Sequence, residues 1–214
     1  MADYPNAITP PRTFFSIPRL ETFEQLKQVD VAFLGVPFDA GASAPWTMAG
    51  QSAAPNAIRD VNPTLFHDIS TVGLYDVDEG RTLLRGLKMM DCGDVNFAPG
   101  DSRINFQRIE AAAREIINQG TMLVGVGGDH SITYPLIRAL DHYQDGEIDI
   151  INLDAHFDFF PDSMARKLPM ELGAITLISW IILVTSTILV LALPSKRRSR
   201  RSKLPEWAGQ PVVK

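Results

Sequence analysis

Four short apolar runs, each stopping at a proline, glycine or aspartate, constrain this chain more than any other feature. Residues 29–36 read VDVAFLGV and stop at a proline; 87–91 run into Cys-Gly-Asp; 121–126 read TMLVGV and stop at Gly127-Gly128; 148–153 read IDIINL and stop at Asp154. Their length and β-branched content predict buried strands. Between them lie helical patterns. Pro55 opens a short helix over 55–60. Asp101 or Ser102 caps a helix over 103–119, with Ile109, Ala112, Ala113, Ile116 and Ile117 on one face and Gly120 at its end. Residues 131–140 read as another. Strands alternating with helices predict a layered α/β fold with a parallel sheet, because parallel strands need crossovers.

In open α/β sheets, ligands bind at the carboxyl ends of the strands. Two of the predicted strand ends carry chemistry. Gly127-Gly128-Asp129-His130-Ser131 follows one, and Asp154-Ala-His156-Phe-Asp158 follows the next. Side-chain alternation puts Asp154, His156 and Asp158 on one face if the strand continues. Carboxylates with imidazole suit borderline divalent ions such as manganese, cobalt or zinc. The plain alternative is that the second motif is only strand end and helix cap. The two glycines are expected to allow a tight turn that aims His130 at the site. Asp129 either orients His130 or caps the following helix. As two successive strands of one parallel sheet, the runs would bring His130 close to Asp154, His156 and Asp158.

GGDHS followed by DAHFD resembles the ureohydrolase (arginase/agmatinase) family, whose fold is a three-layer α/β/α domain with a parallel sheet. The similarity runs from about 31 to 162. It includes the first strand and loop ending at Asp39, a helix start ending at Arg59, and Asp91-Cys-Gly-Asp94. The agmatinase branch, or a guanidino-acid relative, fits better than arginase. In the loop, Ala44-Pro-Trp-Thr-Met-Ala-Gly50 replaces the usual Arg-Pro-Gly-type run. The resemblance implies two Mn2+ ions activating the hydroxide that attacks a guanidinium carbon, releasing urea; agmatine is the favoured small guanidino substrate. It further implies that His130 and Asp158 ligate one ion, His156 the other, that Asp154 bridges, and that Asp158 also holds the nucleophile. Asp129 would support His130. A homo-oligomer is expected of the family.

Beyond residue 162 the pattern changes. No histidine follows His156, and the only acids after Asp162 are Glu171 and Glu206. The family's later catalytic His, Asp-x-Asp ligand pair and Glu are not seen. Asp76-Val-Asp78, the nearest match to the pair, lies upstream and reads as a solvated loop. Residues 172–193 carry no charge over twenty-two positions, enough for the ~20 that a bilayer core needs. KRRSRRSK follows at 196–203, a positive flank of the kind that stays cytoplasmic. A transmembrane helix at 172–193 is expected, with a buried core helix as the alternative. The expected organisation is an N-terminal arm at 1–28, a partial ureohydrolase domain at 29–165, the apolar helix, and a basic tail at 194–214. The abrupt change near 163–170 suggests a truncated or altered gene product with an incomplete fold. Missing later strands would leave an exposed sheet edge.

Three functions follow: an impaired agmatinase-like hydrolase, a membrane-anchored inactive relative that binds metal or intact subunits, and a one-metal amide hydrolase. Single-pass membrane residence is expected if the tail is genuine, and the cytoplasm otherwise. The net charge of −5 gives no basic face for nucleic acid. The single cysteine, Cys92, excludes an intrachain disulfide and reads as a small buried apolar residue. The proline-rich start lacks signal-peptide features and reads as an extended surface arm.

Overall fold

The computed structural model describes residues 7–8, 10–40, 50–65, 68–140, 149–153, 181–184 and 189–193. In chain order the strands are β1 (Ala7–Ile8), β2 (Val31–Val36), β3 (Leu74–Asp76), β4 (Arg81–Leu83), β5 (Met89–Val95), β6 (Met122–Gly127), β7 (Asp149–Leu153), β8 (Ile181–Val184) and β9 (Leu189–Leu193). The helices are α1 (Ala54–Leu65), α2 (Ile69–Val72), α3 (Ser102–Asn118) and α4 (Thr133–Arg138), with 3-10 turns at Phe14–Ser16, Phe23–Gln28, Gln51–Ala53 and His130–Ile132.

Strands β5, β2, β6 and β8 run parallel, in that order across the sheet. Alternation along β2 explains the layering. Ala32, Leu34 and Val36 face one cluster with Ile109 and Ile116 of α3 and Leu136 of α4. Val31 and Phe33 face a second cluster with Phe14, Ile17 and Ile69, against which Ile58 of α1 packs. β2, β5 and β6 thus each send side chains into both clusters, as continuous apolar runs require. The α3 helix matches its sequence signals. Asp101 Oδ1 accepts from the Ile104 N–H at 2.9 Å, the predicted apolar face is buried, and Gly120 leaves the helix with φ +81°.

Three expectations change. The N-terminal arm is not a surface strap. Its Phe14 and Ile17 are buried in the second core and its Leu20 in the first, and β1 adds antiparallel to β5.

The expected helix at 172–193 is not what its described residues form. β8 pairs with β6, β9 pairs antiparallel with β8, and β7 pairs antiparallel with β9. These residues are rich in Ile, Leu and Val, which a pleated sheet accepts, and β6 supplies the edge they extend. The rest of that stretch, and the tail at 194–214, lie outside the described residues. Among the described residues, no helix is long and apolar enough to cross a membrane.

Third, β6 and β7 are not neighbours. The β8–β9 pair lies between them, three inter-strand steps or about 14 Å. They nevertheless point the same way, since β7 is reached through two antiparallel pairings.

Truncating Ile109, fully buried between α3 and the sheet, should cost about 2–5 kcal/mol. Urea unfolding of Ile109→Ala should show a correspondingly lower midpoint with an unchanged slope.

Candidate active site at the carboxyl edge of the sheet

Registers fix the edge at which the motifs emerge. Gly35 pairs with Asp94 on one side and Val126 on the other. Val126 pairs with Val184, Val184 with Leu189, and Leu189 with Leu153. One row therefore crosses the whole sheet, and both candidate motifs leave it on the same side. His130 comes four residues after Val126, and Asp154 directly after Leu153. Asp154, His156 and Asp158 lie outside the described residues. Among the described residues no group of three or more metal-ligating side chains converges.

The turn carrying His130 is built against the end of β2. The Gly128 N–H donates to the Val36 carbonyl at 3.2 Å and the Asp129 N–H to the Phe38 carbonyl at 2.8 Å. A Cβ on Gly128 would stand 1.8 Å from the Phe38 oxygen, so only glycine allows this backbone contact. This corrects the expected role of the pair: neither Gly127 nor Gly128 has positive φ, and closeness is what Gly128 supplies. Asp129 caps the next turn, accepting from the Ser131 N–H at 2.9 Å and the Ser131 hydroxyl at 2.5 Å. Asp129 is buried and His130 is half-buried.

Asp39, three residues beyond the Val36 contact, ties the 3-10 turn before α1 to the same place. Its Oδ2 accepts from the Gly50 N–H at 3.0 Å, the Ser52 N–H at 3.4 Å and the Ser52 hydroxyl at 2.8 Å. The Ser52 hydroxyl bond, opposed by partial burial and helped by the two backbone donors, holds the Asp39 carboxyl below the usual carboxylate range. Residues 41–49, which include most of the divergent run, lie outside the described residues.

Beneath the edge sits a buried ion cluster. The Arg59 guanidinium, 1% exposed, donates from Nε and Nη2 to both oxygens of Asp91 at 2.9 and 3.0 Å. Nη1 reaches Asp94 Oδ1 at 2.6 Å. The Phe14 ring lies against the guanidinium, 3.9 Å from centroid to Cζ, and the Phe14 N–H donates to Asp91 Oδ2 at 2.9 Å. Burial pulls the Arg59 pKa down, but the bonds and charge of Asp91 and the charge of Asp94 outweigh it and raise it. Burial dominates at Asp94 and pushes its carboxyl up despite Arg59. A Cβ on Gly35 would fall 1.7 Å from Asp94 Oδ1, so this glycine makes room for the cluster. Burial, then the Asp91 charge, pushes the Cys92 thiol far up, as suits an inert buried residue. Asp76 and Asp78 belong to the β3–β4 turn: Asp76 Oδ1 accepts from the Asp78 and Glu79 N–H groups, both at 3.0 Å, and Asp78 is exposed.

The sequence patterns named Asp39, Arg59, Asp91 and Asp94 without roles. Pairing Arg59 with two aspartates needed the fold, since they lie 32 and 35 positions away.

Residues 29–173 match the model of the arginase family. The chain belongs to the arginase family. It is 29% identical over 164 residues to human mitochondrial guanidino acid hydrolase, covering 77% of this chain and 44% of that protein. It is 36% identical over 129 residues to agmatinase of Photorhabdus laumondii subsp. laumondii, covering 60% and 39%. The chain thus spans less than half the length of these relatives. Its fold is similar to that of an arginase superfamily protein from Trypanosoma cruzi, with a TM-score of 0.53 at 22% identity over 64% of this chain and 43% of that one. The family fold agrees with the parallel block and flanking helices described above.

Two outcomes follow for this arrangement. Asp91→Ala would leave Arg59 buried without its two-pronged partner and should cost about 3–5 kcal/mol, read by denaturant unfolding. The Asp39 clamp, with its depressed pKa, should stabilise the fold above the ordinary aspartate pKa of about 3.9 and lose that contribution as pH falls through the lower folded value. The difference in thermal midpoint between the wild type and Asp39→Asn should therefore be largest near about pH 7 and shrink as pH falls below about 3.9.

Proposed function

We propose that this chain is a metal-dependent hydrolase of the agmatinase type, acting on a linear guanidino compound, with agmatine yielding putrescine and urea. The supporting observation is the single row from Asp94 to Leu153, which sends the His130 turn and the residues after Leu153 out on one side of the sheet. Matching agmatinases and a guanidino acid hydrolase among the relatives favour this substrate class.

The donor set of imidazole and carboxylate suits manganese. His130 and Asp158 would hold one ion, His156 the other, and Asp154 both. When bound, the ions supply water of lowered pKa. Asp158 orients that nucleophile by accepting its hydrogen bond. Asp129, by capping the turn at Ser131, fixes the backbone from which His130 projects. Oligomerisation would follow the family habit.

Turnover is expected to be low, because β8 and β9 hold β6 and β7 three inter-strand steps apart. That same separation favours a second reading, a catalytically silent relative that binds metal or pairs with intact subunits.

Calorimetric titration with manganese and a urea assay on agmatine separate these outcomes. Weak binding, reduced about 10–100-fold or more in His130→Ala, with slow urea release supports the hydrolase. Binding without urea favours the silent relative. Tight binding of two ions with ordinary turnover would remove the claim of impairment, and no manganese binding would remove the metal reading altogether.

A further inference from the structure

Among the described residues, two buried side-chain polar atoms have no hydrogen-bond partner: Gln51 Oε1 and Thr133 Oγ1. Buried polar groups are nearly always satisfied, so each such atom calls for an explanation. Their positions share one. Gln51 sits between Gly50 and Ser52, both of which donate to Asp39. Thr133 follows His130 by three residues and begins α4. The two turns are joined by main-chain bonds, because Phe38, next to Asp39, accepts from the Asp129 N–H. Both unpartnered atoms thus belong to the two turns that the carboxyl edge brings together, and neither belongs to the rest of the core.

We propose that Gln51 and Thr133 are substrate-contacting residues whose oxygens accept N–H bonds from the guanidino compound, with Asp39 as the positioning residue for Gln51. This rests on the hydrolase reading only for the choice of ligand. A guanidinium or ammonium group carries N–H donors and no acceptor, and two spare oxygens match it. The Asp39 carboxylate, clamped by the two neighbours of Gln51, adds negative charge to that turn, which favours a cation. Oxygens kept unpartnered for a ligand cost stability in its absence, which is the usual compromise at a binding site.

That compromise makes the test sharp. Gln51→Met and Thr133→Val replace each oxygen by an apolar group of similar shape. Removing an unsatisfied polar atom in this way is neutral or stabilising. Thermal unfolding and agmatine binding by calorimetry, both on the full chain loaded with manganese, are measured for each variant and for Asp39→Asn and Asp39→Ala.

The expected result is an unchanged or raised melting temperature with agmatine affinity lowered about tenfold in each of the two apolar variants. Asp39→Ala should lose affinity as well. Asp39→Asn should recover part of it, since its amide oxygen can still accept from Gly50 and Ser52. When urea release is measurable, KM should rise while kcat stays within about twofold.

A lowered melting temperature with unchanged affinity would assign both atoms to ordinary structure and overturn the proposal. So would a wild type that binds no agmatine. A wild type that binds agmatine through these residues yet releases no urea would overturn the hydrolase reading and leave this one standing.

Discussion

The two-pronged bond between Arg59 and Asp91 is the interaction on which the rest of the structure depends. It joins α1 to β5, draws in Asp94, and takes the Phe14 N–H as a further donor. Three separate segments of the chain therefore meet in one place. A guanidinium suits the task because its planar fork satisfies two carboxylates at once and its face accepts an aromatic ring. Such a cluster is weak evidence for net stability, since desolvating three charges offsets much of their attraction. What it supplies is uniqueness of arrangement. The observed packing of α1 on this sheet pairs all three charges, and the 3-10 turn that leads into α1, with Gln51 and Ser52, adjoins the helix so held.

The fold was readable where local chemistry and tertiary demand agree. The Asp101 cap, the apolar face of α3 and Gly120 each act within a turn of their own position, so a linear pattern carries them. The strand runs were readable for the same reason, although β5 continues to Val95 and so takes Asp94 into the sheet. The N-terminal arm was misread because prolines report backbone conformation and say nothing of what Phe14 and Ile17 pack against. Residues 181–184 and 189–193 form strands where a helix was expected, because an uncharged aliphatic run satisfies a bilayer and a central strand equally well. Only the neighbouring strand decides between them.

The site divides in the same way. His130 and its glycines stood out by spacing, and their strand-end position was correct. The reason for Gly128 was not accessible, since it lies in the Phe38 carbonyl, ninety positions away in sequence. Sequence adjacency of β6 and β7 also suggested spatial adjacency, whereas β8 and β9 stand between them. Asp39 ended a recognised pattern without a role, and nothing in the sequence singled out Gln51. Their significance comes from hydrogen bonds made and hydrogen bonds left unmade.

The seat of the His130 turn is main chain on main chain: an amide of residue 129 on the carbonyl of residue 38, with Gly128 pressed against that same peptide. Peptide groups are identical whatever side chain they bear. The position of His130 is therefore inherited from a contact that substitutions elsewhere in the two loops leave untouched, provided residue 128 stays bare. Neighbouring residues can drift, and with them the preference for one guanidino compound over another, while the imidazole keeps its station.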